Sequence, residues 1–481
     1  MFDSIKKDNN YLNLINGKWT GALDSIEIYC PYDNSLLGTV PAMDEELIDR
    51  VFESAKNGQQ AWANTPLNIR AKILYKAASL LKEHSEELAL ILTKEIAKDI
   101  ESSRSEIMRT VDFIRFTADA GKAIEGEAIS SDNFPGFKKN KLSFAQRVPM
   151  GTVLAISPFN YPINLSVSKI APALIAGNCV ILKPPTQGAI SALHMVKIFQ
   201  EAGIPDGVLN TVTGISRQIG NYLITHKGVD FINFTGSTQV GKHIANINGM
   251  VPMLMELGGK DAAIVLKDAD LDSAAREIVS GAFSYSGQRC TAIKRVLVME
   301  EIADDLSKKL AELTSALTVG SPEDGCTITP LINSSSADYV MELIDDAINK
   351  KALVLSGNKR ENNLIYPTLL DNVTEDMRVA WEEPFGPVLP IIRVPDEEAA
   401  INIANKSEYG LQSSIFTKNI DDAFYIANNL EVGSVQINNK SERGPDHFPF
   451  SGVKSSGMGT QGIRYSIEAM TRVKSIVLTI G

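Results

Sequence analysis

The sequence has little cysteine, and no two cysteines stand at a spacing typical of metal binding or redox exchange. The four cysteines, Cys30, Cys179, Cys290 and Cys326, are widely separated along 481 residues, without a CxxC motif. This pattern argues against a disulfide framework and against a zinc site, so no metal is expected. Unpaired cysteines fit a reducing compartment, and the predicted location is cytoplasmic.

Long apolar runs and an excess of basic residues are also missing. The first residues, MFDSIKKDNNYLNLING, contain no apolar signal region. No run approaches the roughly 18 apolar residues of a membrane span, so no membrane partner is expected. The net charge of −11 argues against nucleic acid as a partner. An anionic small molecule would need a local basic site within this acidic surface.

From residue 151 the chain alternates between strand-like and helix-like segments. Helical patterns such as Ala189–Ala202 separate the strand-like runs. The apolar strand-like runs begin at Gly151, Asn178, Leu209, Asp230 and Val251. Continuous apolar strands joined by helical crossovers predict a buried parallel sheet of the doubly wound, nucleotide-binding type. Ligands of such sheets bind at the carboxyl ends of the strands.

Two further regions complete the predicted α/β architecture. A second series of strands is predicted at 262–266, 295–299, 352–356, 388–393 and 434–438, which indicates a second α/β domain carrying Cys290. Residues 123–150 have the pattern of a strand, an open connection and a returning strand, with little core of their own. The strand-like tail TRVKSIVLTIG is the predicted partner of that hairpin.

Cys290 lies in a flexible, polar stretch that also carries cations. The stretch reads FSYSGQRCTAIKR. A free cysteine is usually a small buried hydrophobic residue. Here Arg289, Lys294 and Arg295 are close in sequence, and positive charge favours the thiolate, which is the nucleophilic form. We therefore predict a reactive thiolate at Cys290.

A second stretch, MLMELGGKD, places Glu256 at the end of an apolar strand and before two glycines. Burying a carboxylate there is costly unless it has a function. A cysteine nucleophile and a glutamate base form a workable catalytic pair. The five histidines lie away from both stretches in sequence, although position alone does not exclude His447 as a base.

The motifs ELGGKD and SGQRCTA together resemble the aldehyde dehydrogenase superfamily, and the resemblance extends over nearly the whole chain. It implies an α/β fold of the aldehyde dehydrogenase type, with a doubly wound parallel-sheet cofactor domain, an α/β catalytic domain and a small β oligomerisation element. The expected limits are 1–125 and 147–258 for the cofactor domain, 259–438 for the catalytic domain, and 126–146 and 439–481 for the oligomerisation element and C-terminal tail. The same element implies a dimer or, as we predict, a homotetramer.

The strand-to-helix turn TGSTQVG is the first cofactor signal. Glycines at such a turn let backbone N–H groups approach a phosphate at the helix N-terminus. Gly236, Ser237 and Gly241 are the candidate residues. The pattern departs from GxGxxG, as the aldehyde dehydrogenase family also does.

The end of the second strand, Lys183-Pro-Pro-Thr186-Gln, carries the signal for cofactor choice. An acidic residue at this point usually holds the ribose hydroxyl of NAD, and no carboxylate follows here until Glu201. A cation and a hydroxyl suit the extra phosphate of NADP, so NADP is expected, with NAD possible but weaker. The alternative is that Lys183 holds only the ribose hydroxyls, as the matching lysine does across the family.

Two further motifs take their roles from the resemblance. EEPFGP is similar to the family's EPFGP motif, which implies that Glu383 binds the nicotinamide ribose and that Phe385 packs near the ring. PFNYP is similar to the family's PxN motif, which implies that Asn160 donates a hydrogen bond to the substrate oxygen. That oxygen becomes anionic when a thiolate adds to an aldehyde, so it needs fixed donors.

Three arginines separate this chain from a generic aldehyde dehydrogenase. Arg109 lies off the apolar stripe of its helix, and by itself this pattern predicts a solvated surface charge. Arg109, Arg289 and Arg443, with Tyr161 and with Thr291 beside the cysteine, match the phosphate-binding set of the non-phosphorylating glyceraldehyde-3-phosphate dehydrogenases. Arginine suits phosphate because its fork can bind in a bidentate way. Arg443 is expected to be the cleanest position for a test, because Arg289 adjoins Cys290.

The resemblance implies oxidation of glyceraldehyde 3-phosphate to 3-phosphoglycerate with reduction of NADP. The reaction would pass through a thiohemiacetal and a thioester on Cys290, and would need no inorganic phosphate. A carboxylated semialdehyde such as succinate semialdehyde is an alternative substrate, because a carboxylate also binds arginines. A non-catalytic binding or structural protein on the same fold is the alternative of another class, which loss of Cys290, Glu256 or Asn160 would have favoured.

Overall fold

The computed structural model of the chain describes residues 1–480. The α-helices are α1 (Glu45–Ala63), α2 (Leu67–Glu83), α3 (Ser85–Ile96), α4 (Ile100–Lys122), α5 (Asn164–Ala176), α6 (Ala189–Ala202), α7 (Ser216–Thr225), α8 (Thr238–Ile247), α9 (Leu271–Phe283), α10 (Ala303–Ser315), α11 (Ser334–Asn349), α12 (Glu397–Asn405), α13 (Ile420–Asn429) and α14 (Ile463–Ala469). None of these helices is long and apolar enough to cross a membrane.

The strands are β1 (Lys6–Lys7), β2 (Asn10–Tyr11), β3 (Asn13–Ile15), β4 (Lys18–Thr20), β5 (Asp24–Tyr29), β6 (Leu36–Ala42), β7 (Glu127–Ser130), β8 (Lys141–Pro149), β9 (Thr152–Ile156), β10 (Cys179–Lys183), β11 (Leu209–Thr211), β12 (Phe231–Thr235), β13 (Met253–Glu256), β14 (Ala262–Val265), β15 (Arg295–Met299), β16 (Leu353–Ser356), β17 (Arg360–Glu361), β18 (Leu364–Ile365), β19 (Thr368–Asp371), β20 (Val388–Val394), β21 (Tyr409–Gly410), β22 (Gln412–Phe416), β23 (Ser434–Ile437), β24 (Phe450–Ser451), β25 (Val453–Lys454), β26 (Gly457–Met458), β27 (Thr460–Gln461) and β28 (Thr471–Thr479).

The first large sheet has the order β11-β10-β9-β12-β13-β26. Its first five strands run parallel, and β26 is antiparallel to β13. The apolar runs of β9, β10 and β12 are almost wholly buried, as expected for a sheet covered by helices on both faces. The five predicted strands and the helix Ala189–Ala202 are confirmed. The chain reverses its direction across the sheet between β9 and β12, and this switch point is where such sheets bind ligands.

The second large sheet has the order β16-β19-β20-β15-β14-β22-β23. All pairs are parallel except β16 with β19. The five predicted strands of this series are present. Strand β22 was not predicted, although it lies between β14 and β23 and all its residues are buried. Its first residues, Gln412 to Ser414, are polar, so it lacks the apolar run that identified its neighbours.

A third sheet, β28-β8-β7, is formed by the hairpin and the C-terminal strand. Strand β28 pairs with β8 along its whole length, from Thr471 opposite Pro149 to Thr479 opposite Lys141. The predicted pairing of tail and hairpin is therefore confirmed. Residue 481, the end of the predicted tail, lies outside the described residues.

Candidate active site

The structure brings together the predicted nucleophile and the predicted base from the two large sheets. Glu256 is the last residue of β13, and Cys290 lies in the loop that leads into β15. The thiol of Cys290 donates a hydrogen bond to Oε1 of Glu256 at 3.2 Å. Glu256 is only 2% exposed, so this is a buried carboxylate with a specific partner, as a catalytic base requires.

The backbone before Cys290 has an unusual conformation. Tyr285, Ser286 and Gly287 have φ angles of 51°, 53° and 71°, a region that costs non-glycine residues about 1–3 kcal/mol each. Ser286 is held there by a hydrogen bond of 2.7 Å to the carbonyl oxygen of Thr329. A Cβ on Gly287 would lie 2.4 Å from the carbonyl oxygen of Gly386. Only glycine therefore lets the cysteine loop pack against this neighbouring segment.

The cations near Cys290 in sequence act on its thiol less than their spacing suggests. Burial and the nearby Glu256 carboxylate raise the pKa of Cys290 well above its usual value, and Lys294 opposes this shift only in part. The other two sequence neighbours bond backbone carbonyls instead of the sulfur: Arg289 donates to Gly281, and Arg295 donates to Ala404 at 3.1 Å. Cys290 is a thiol whose proton Glu256 is placed to accept.

Asn160 follows β9 and lies beside the cysteine loop. Its Nδ2 donates to the carbonyl oxygen of Gln288 at 2.9 Å, two residues before the cysteine. The side chain is buried, and this bond fixes the amide group while one N–H of the same nitrogen stays available. The position fits the predicted role of a hydrogen-bond donor to a developing oxyanion.

A buried lysine that the sequence reasoning missed lies behind the catalytic pair. Lys169 of α5 donates to the Thr235 hydroxyl at 2.7 Å. Burial lowers the pKa of Lys169 to about 7, while the charge of Glu256 acts to raise it. The available signal was Lys169 as the single charged residue of helix α5, whose residues are nearly all buried.

A cavity of about 850 Å³ opens at the carboxyl ends of β9, β10 and β12. Its lining includes Cys290 and most of the predicted cofactor residues, namely Lys183, Thr186, Gly236, Ser237, Glu383 and Phe385. Gly241 is not part of this lining. It lies within α8, where an added Cβ would be 2.5 Å from Leu257, so its place is explained by close packing.

The cavity carries positive charge where a phosphate-bearing cofactor would need it. Lys183 donates to the Ser216 hydroxyl at 2.9 Å, and burial lowers the pKa of this lysine to about 8. Arg217 also lines the cavity and was missed by the sequence reasoning. Ser237 caps α8, so the N-terminus of this helix opens into the same space. These groups fit a nucleotide with an additional phosphate.

Glu383 is the carboxylate among the residues that line this cavity. It accepts a hydrogen bond from the backbone N–H of Gly259 at 3.1 Å and forms an ion pair with Lys294 at 3.2 Å. A Cβ on Gly258 would lie 2.1 Å from Oε2 of Glu383, so the Gly-Gly turn is what admits this side chain. The carboxylate is thereby held in one orientation toward the cavity.

On the substrate side, Arg109 and Arg443 meet around Asp446. Arg109 donates to both oxygens of Asp446, at 2.7 and 2.8 Å, and to the carbonyl oxygen of Arg443 at 2.6 Å. The Arg443 Nε lies 3.7 Å from Asp446 Oδ1. Arg109 is therefore not the solvated surface charge that its helix pattern predicts, and Asp446 is a functional candidate that the sequence reasoning missed.

Arg443 also contacts the catalytic base. Its Nη1 donates to Oε2 of Glu256 at 2.9 Å, in a pair whose side chains are 10% and 2% exposed. The expectation that Arg443 is the cleanest position for a test is therefore wrong. Removing this guanidinium would alter the environment of Glu256 as well as any phosphate contact.

The remaining predicted substrate residues have different surroundings. The guanidinium of Arg289 bonds the carbonyl oxygen of Gly281, and its Nε has no hydrogen-bond partner within residues 1–480. The ammonium of Lys98 lies 3.5 Å from the ring centroid of Tyr161. The backbone carbonyl of Thr291 accepts a hydrogen bond from the Ser441 hydroxyl.

His447 is the histidine that sequence position alone did not exclude as a base. Its ring packs against Phe116 and Phe448, with ring centroids 6.0 and 4.8 Å away, while the Cys290 thiol donates its hydrogen bond to Glu256. No cluster of histidine, cysteine and carboxylate side chains suited to a metal ion occurs within the described part of the chain.

Residues 19–476 match the aldehyde dehydrogenase family, and the chain belongs to this family. It is 56% identical over 470 residues to an NADP-dependent glyceraldehyde-3-phosphate dehydrogenase of Streptococcus equinus, covering 98% of this chain and 99% of the relative. It is 38% identical to a lactaldehyde dehydrogenase of Methanococcus aeolicus, covering 96% and 99% of the two chains.

Among solved structures, the fold is similar to that of an NADP-dependent glyceraldehyde-3-phosphate dehydrogenase from Bacillus halodurans, complexed with NADP. The TM-score is 0.97 at 51% identity, and the match covers 98% of this chain and 100% of the other. The predicted aldehyde dehydrogenase fold is confirmed.

Proposed function

We propose that this enzyme oxidises glyceraldehyde 3-phosphate to 3-phosphoglycerate with reduction of NADP and without inorganic phosphate. The observation that carries the proposal is the placement of Glu256. One of its oxygens accepts the Cys290 thiol and the other binds Arg443, so the catalytic pair directly adjoins an arginine cluster suited to a phosphate. The activities named for two of the similar relatives support the same substrate and cofactor.

The residues support a two-stage reaction. Glu256 takes the thiol proton as the Cys290 sulfur adds to the aldehyde carbon, and the Asn160 amide stabilises the oxygen that becomes anionic. Bound NADP supplies the hydride acceptor. A thioester then remains on Cys290. Glu256, after release of its first proton, takes one from water, the water oxygen attacks the thioester carbon, and the C–S bond breaks to give the acid and a cysteine thiolate.

NADP is proposed over NAD because of the charges in the cavity. Lys183 and Arg217 offer cations, Thr186 offers a hydroxyl, and the carboxylate that lines the cavity, Glu383, is held by Lys294. A ribose 2′-phosphate would meet attraction here, whereas an acidic residue after β10 would repel it. We assign Glu383 to the nicotinamide ribose and Phe385 to the ring, by family resemblance.

Steady-state kinetics with no added phosphate test this proposal. We expect the highest kcat/KM for glyceraldehyde 3-phosphate with NADP, and 3-phosphoglycerate as the product. Succinate semialdehyde is the competing substrate, because a carboxylate would also bind Arg109 and Arg443. A higher kcat/KM for the semialdehyde, or a product that forms only when phosphate is added, would contradict the proposal.

We propose that the chain forms a homotetramer through its third sheet. Ile476, Val477 and Leu478 are adjacent in β28 and are all 51–60% exposed. Adjacent strand residues point to opposite faces, so apolar side chains are uncovered on both faces of this sheet. In this proposal residues 126–146 and the tail from 439 form the oligomerisation element. The cofactor domain comprises residues 1–125 and 147–258, and the catalytic domain comprises residues 259–438. Light scattering on Val477→Glu, which should dissociate the assembly, tests this.

We also propose a cytoplasmic location. The four cysteines are unpaired thiols in the structure, which suits a reducing compartment. Fractionation of expressing cells, with a cytoplasmic and a membrane marker, is the corresponding test.

A further inference from the structure

Arg443, which is expected to bind the substrate phosphate, forms an ion pair with Glu256, which is expected to act as the base in thioester hydrolysis. Glu256 Oε2 accepts from Arg443 at 2.9 Å, and both side chains are nearly buried. A carboxylate oxygen that accepts a guanidinium N–H has that acceptor position occupied, so a water molecule cannot donate its proton there. The pair therefore restrains the base that hydrolysis requires.

Both arginines of the cluster are neutralised by carboxylates in this structure. Arg109 binds Asp446 through two hydrogen bonds and is also tied to the Arg443 carbonyl. Arg443 binds Glu256 through a single hydrogen bond. A phosphate dianion that enters the cluster must compete with these carboxylates, and the single bond of Arg443 is the easier one to exchange.

The side chain of Arg443 has two further contacts besides Glu256. Its guanidinium carbon lies 5.0 Å from the centre of the Phe450 ring, and its Nε lies 3.7 Å from Asp446 Oδ1. The ring offers a flat support and Asp446 a second anion, so the charge stays compensated when the bond to Glu256 is lost. Lys169 and the Cys290 sulfur are the other titratable groups beside Glu256. Lys169 donates to Thr235 and the sulfur donates to Glu256, so neither is hydrogen-bonded to Arg443.

We propose that the phosphate of the substrate draws Arg443 away from Glu256, and that this exchange frees Glu256 as the base for thioester hydrolysis. The proposal rests on the proposed function and deepens it, because the phosphate becomes an activator as well as a handle. In the hydrolytic step the freed carboxylate accepts the water proton, the water oxygen bonds to the acyl carbon, and Cys290 leaves as the thiolate.

Unphosphorylated glyceraldehyde separates the two stages. Without a phosphate nothing displaces Arg443 from Glu256, so hydrolysis should be slow, and the first proton transfer, from Cys290 to Glu256, should be slowed as well. A free phosphite dianion, bound beside the acyl group, should take Arg443 and restore hydrolysis. A charge-assisted hydrogen bond of this kind corresponds to an effect of about 10-fold or more.

The experiment is pre-steady-state kinetics of the NADP-loaded enzyme with glyceraldehyde, with and without sodium phosphite. The burst of reduced cofactor reports thioester formation, and the following steady rate reports hydrolysis. We expect phosphite to raise the hydrolytic rate of the unmodified enzyme about 10-fold. In Arg443→Gln, hydrolysis should already be fast and insensitive to phosphite. Arg464→Gln, which removes an exposed arginine paired with Glu468, is the control and should behave as the unmodified enzyme.

The inference is overturned if phosphite leaves the hydrolytic rate of the unmodified enzyme unchanged, or if Arg443→Gln slows hydrolysis of the glyceraldehyde thioester. Should Arg443→Gln fail to fold, the phosphite titration of the unmodified enzyme decides alone. The proposed function fails by a different result, namely no preference for glyceraldehyde 3-phosphate over glyceraldehyde in kcat/KM.

Discussion

The cations on the cofactor side and on the substrate side of Cys290 have different kinds of hydrogen-bond partner. On the cofactor side, Lys183 is held by a hydroxyl and a carbonyl group, which are neutral partners. On the substrate side, Arg109 and Arg443 are held by the carboxylates of Asp446 and Glu256. A cation with neutral partners binds an anion by simple addition, whereas a cation with a carboxylate partner binds it only by exchange.

This difference has a functional consequence. The cofactor side should bind its ligand with little rearrangement and with an affinity that depends on the protonation of Lys183. The substrate side should couple binding to catalysis, because one of the exchanged carboxylates is the base. The following variants test the catalytic centre and then each side in turn.

The largest effect is expected at the centre that both sides share. Cys290→Ser should lower kcat by roughly 10⁴-fold or more, because the serine hydroxyl is a much poorer nucleophile than a thiol that Glu256 can deprotonate. NADP binding, measured by calorimetry, should be unchanged. Substantial turnover in this variant would show that Cys290 is not the nucleophile.

Glu256→Gln should separate the two stages. The amide can accept neither the thiol proton nor the water proton, so thioester formation should slow, and hydrolysis should slow further, by about 10²–10⁴-fold. A slowed burst of reduced cofactor followed by a stall is the expected trace in stopped-flow absorbance. A normal steady-state rate would contradict the assignment of the base.

Arg109→Met tests the substrate side alone, because Arg109 does not touch Glu256. Loss of one charge-assisted bond of about 1.5–3 kcal/mol should reduce kcat/KM for glyceraldehyde 3-phosphate by about 10- to 100-fold. Glyceraldehyde should be little affected. Arg115→Met, on the same helix in an exposed pair with Asp112, is the matched control. Equal losses on both substrates would mean that Arg109 supports the fold instead of the phosphate.

Thr186→Glu tests the cofactor side. A carboxylate near the 2′-phosphate should weaken NADP by more than about tenfold, since juxtaposed like charges cost several kcal/mol. NAD, which lacks this phosphate, should be affected much less. If the unmodified enzyme prefers NAD, or if both cofactors weaken equally, the interpretation of the strand end after Lys183 is wrong.

The smallest effect is the pH dependence of NADP binding. The pKa of Lys183 is lowered to about 8 by burial, and a bound phosphate favours the protonated form. Affinity should therefore be full well below this pKa and fall about five- to sixfold from pH 8 to about pH 9, with proton uptake visible by calorimetry in two buffers. Lys183→Arg stays charged and should abolish this dependence. A flat profile in the unmodified enzyme would contradict direct contact between Lys183 and the phosphate.

The two sides also differ in how much of them the sequence predicts. The cofactor side follows from local patterns: apolar strands end in Lys183-Pro-Pro-Thr186 and in Thr235-Gly236-Ser237, and parallel strands bring such ends together. The strand β22 escaped this reasoning because its buried start is polar, and hydropathy is the only signal that a single strand offers.

The substrate side depends on contacts between distant residues. Glu256 and Arg443 are 187 positions apart, and Arg109 and Asp446 are 337 apart. Neither pairing leaves a local pattern, so the sequence supplied Arg109, Arg443 and Glu256 but neither Asp446 nor the pairings themselves. The effect of the nearby cations on Cys290 was overestimated for a related reason, since Arg289 and Arg295 are close to it in sequence but bond backbone carbonyls elsewhere.

The central claim is that a phosphorylated aldehyde is oxidised as a thioester on Cys290 beside Glu256. Mass spectrometry of Glu256→Gln after mixing with glyceraldehyde 3-phosphate and NADP tests it most directly, because hydrolysis is blocked. The account predicts a phosphoglyceroyl group on the peptide that contains Cys290, and none when NADP is omitted. An adduct on another residue, or no adduct although reduced cofactor is formed, would contradict it.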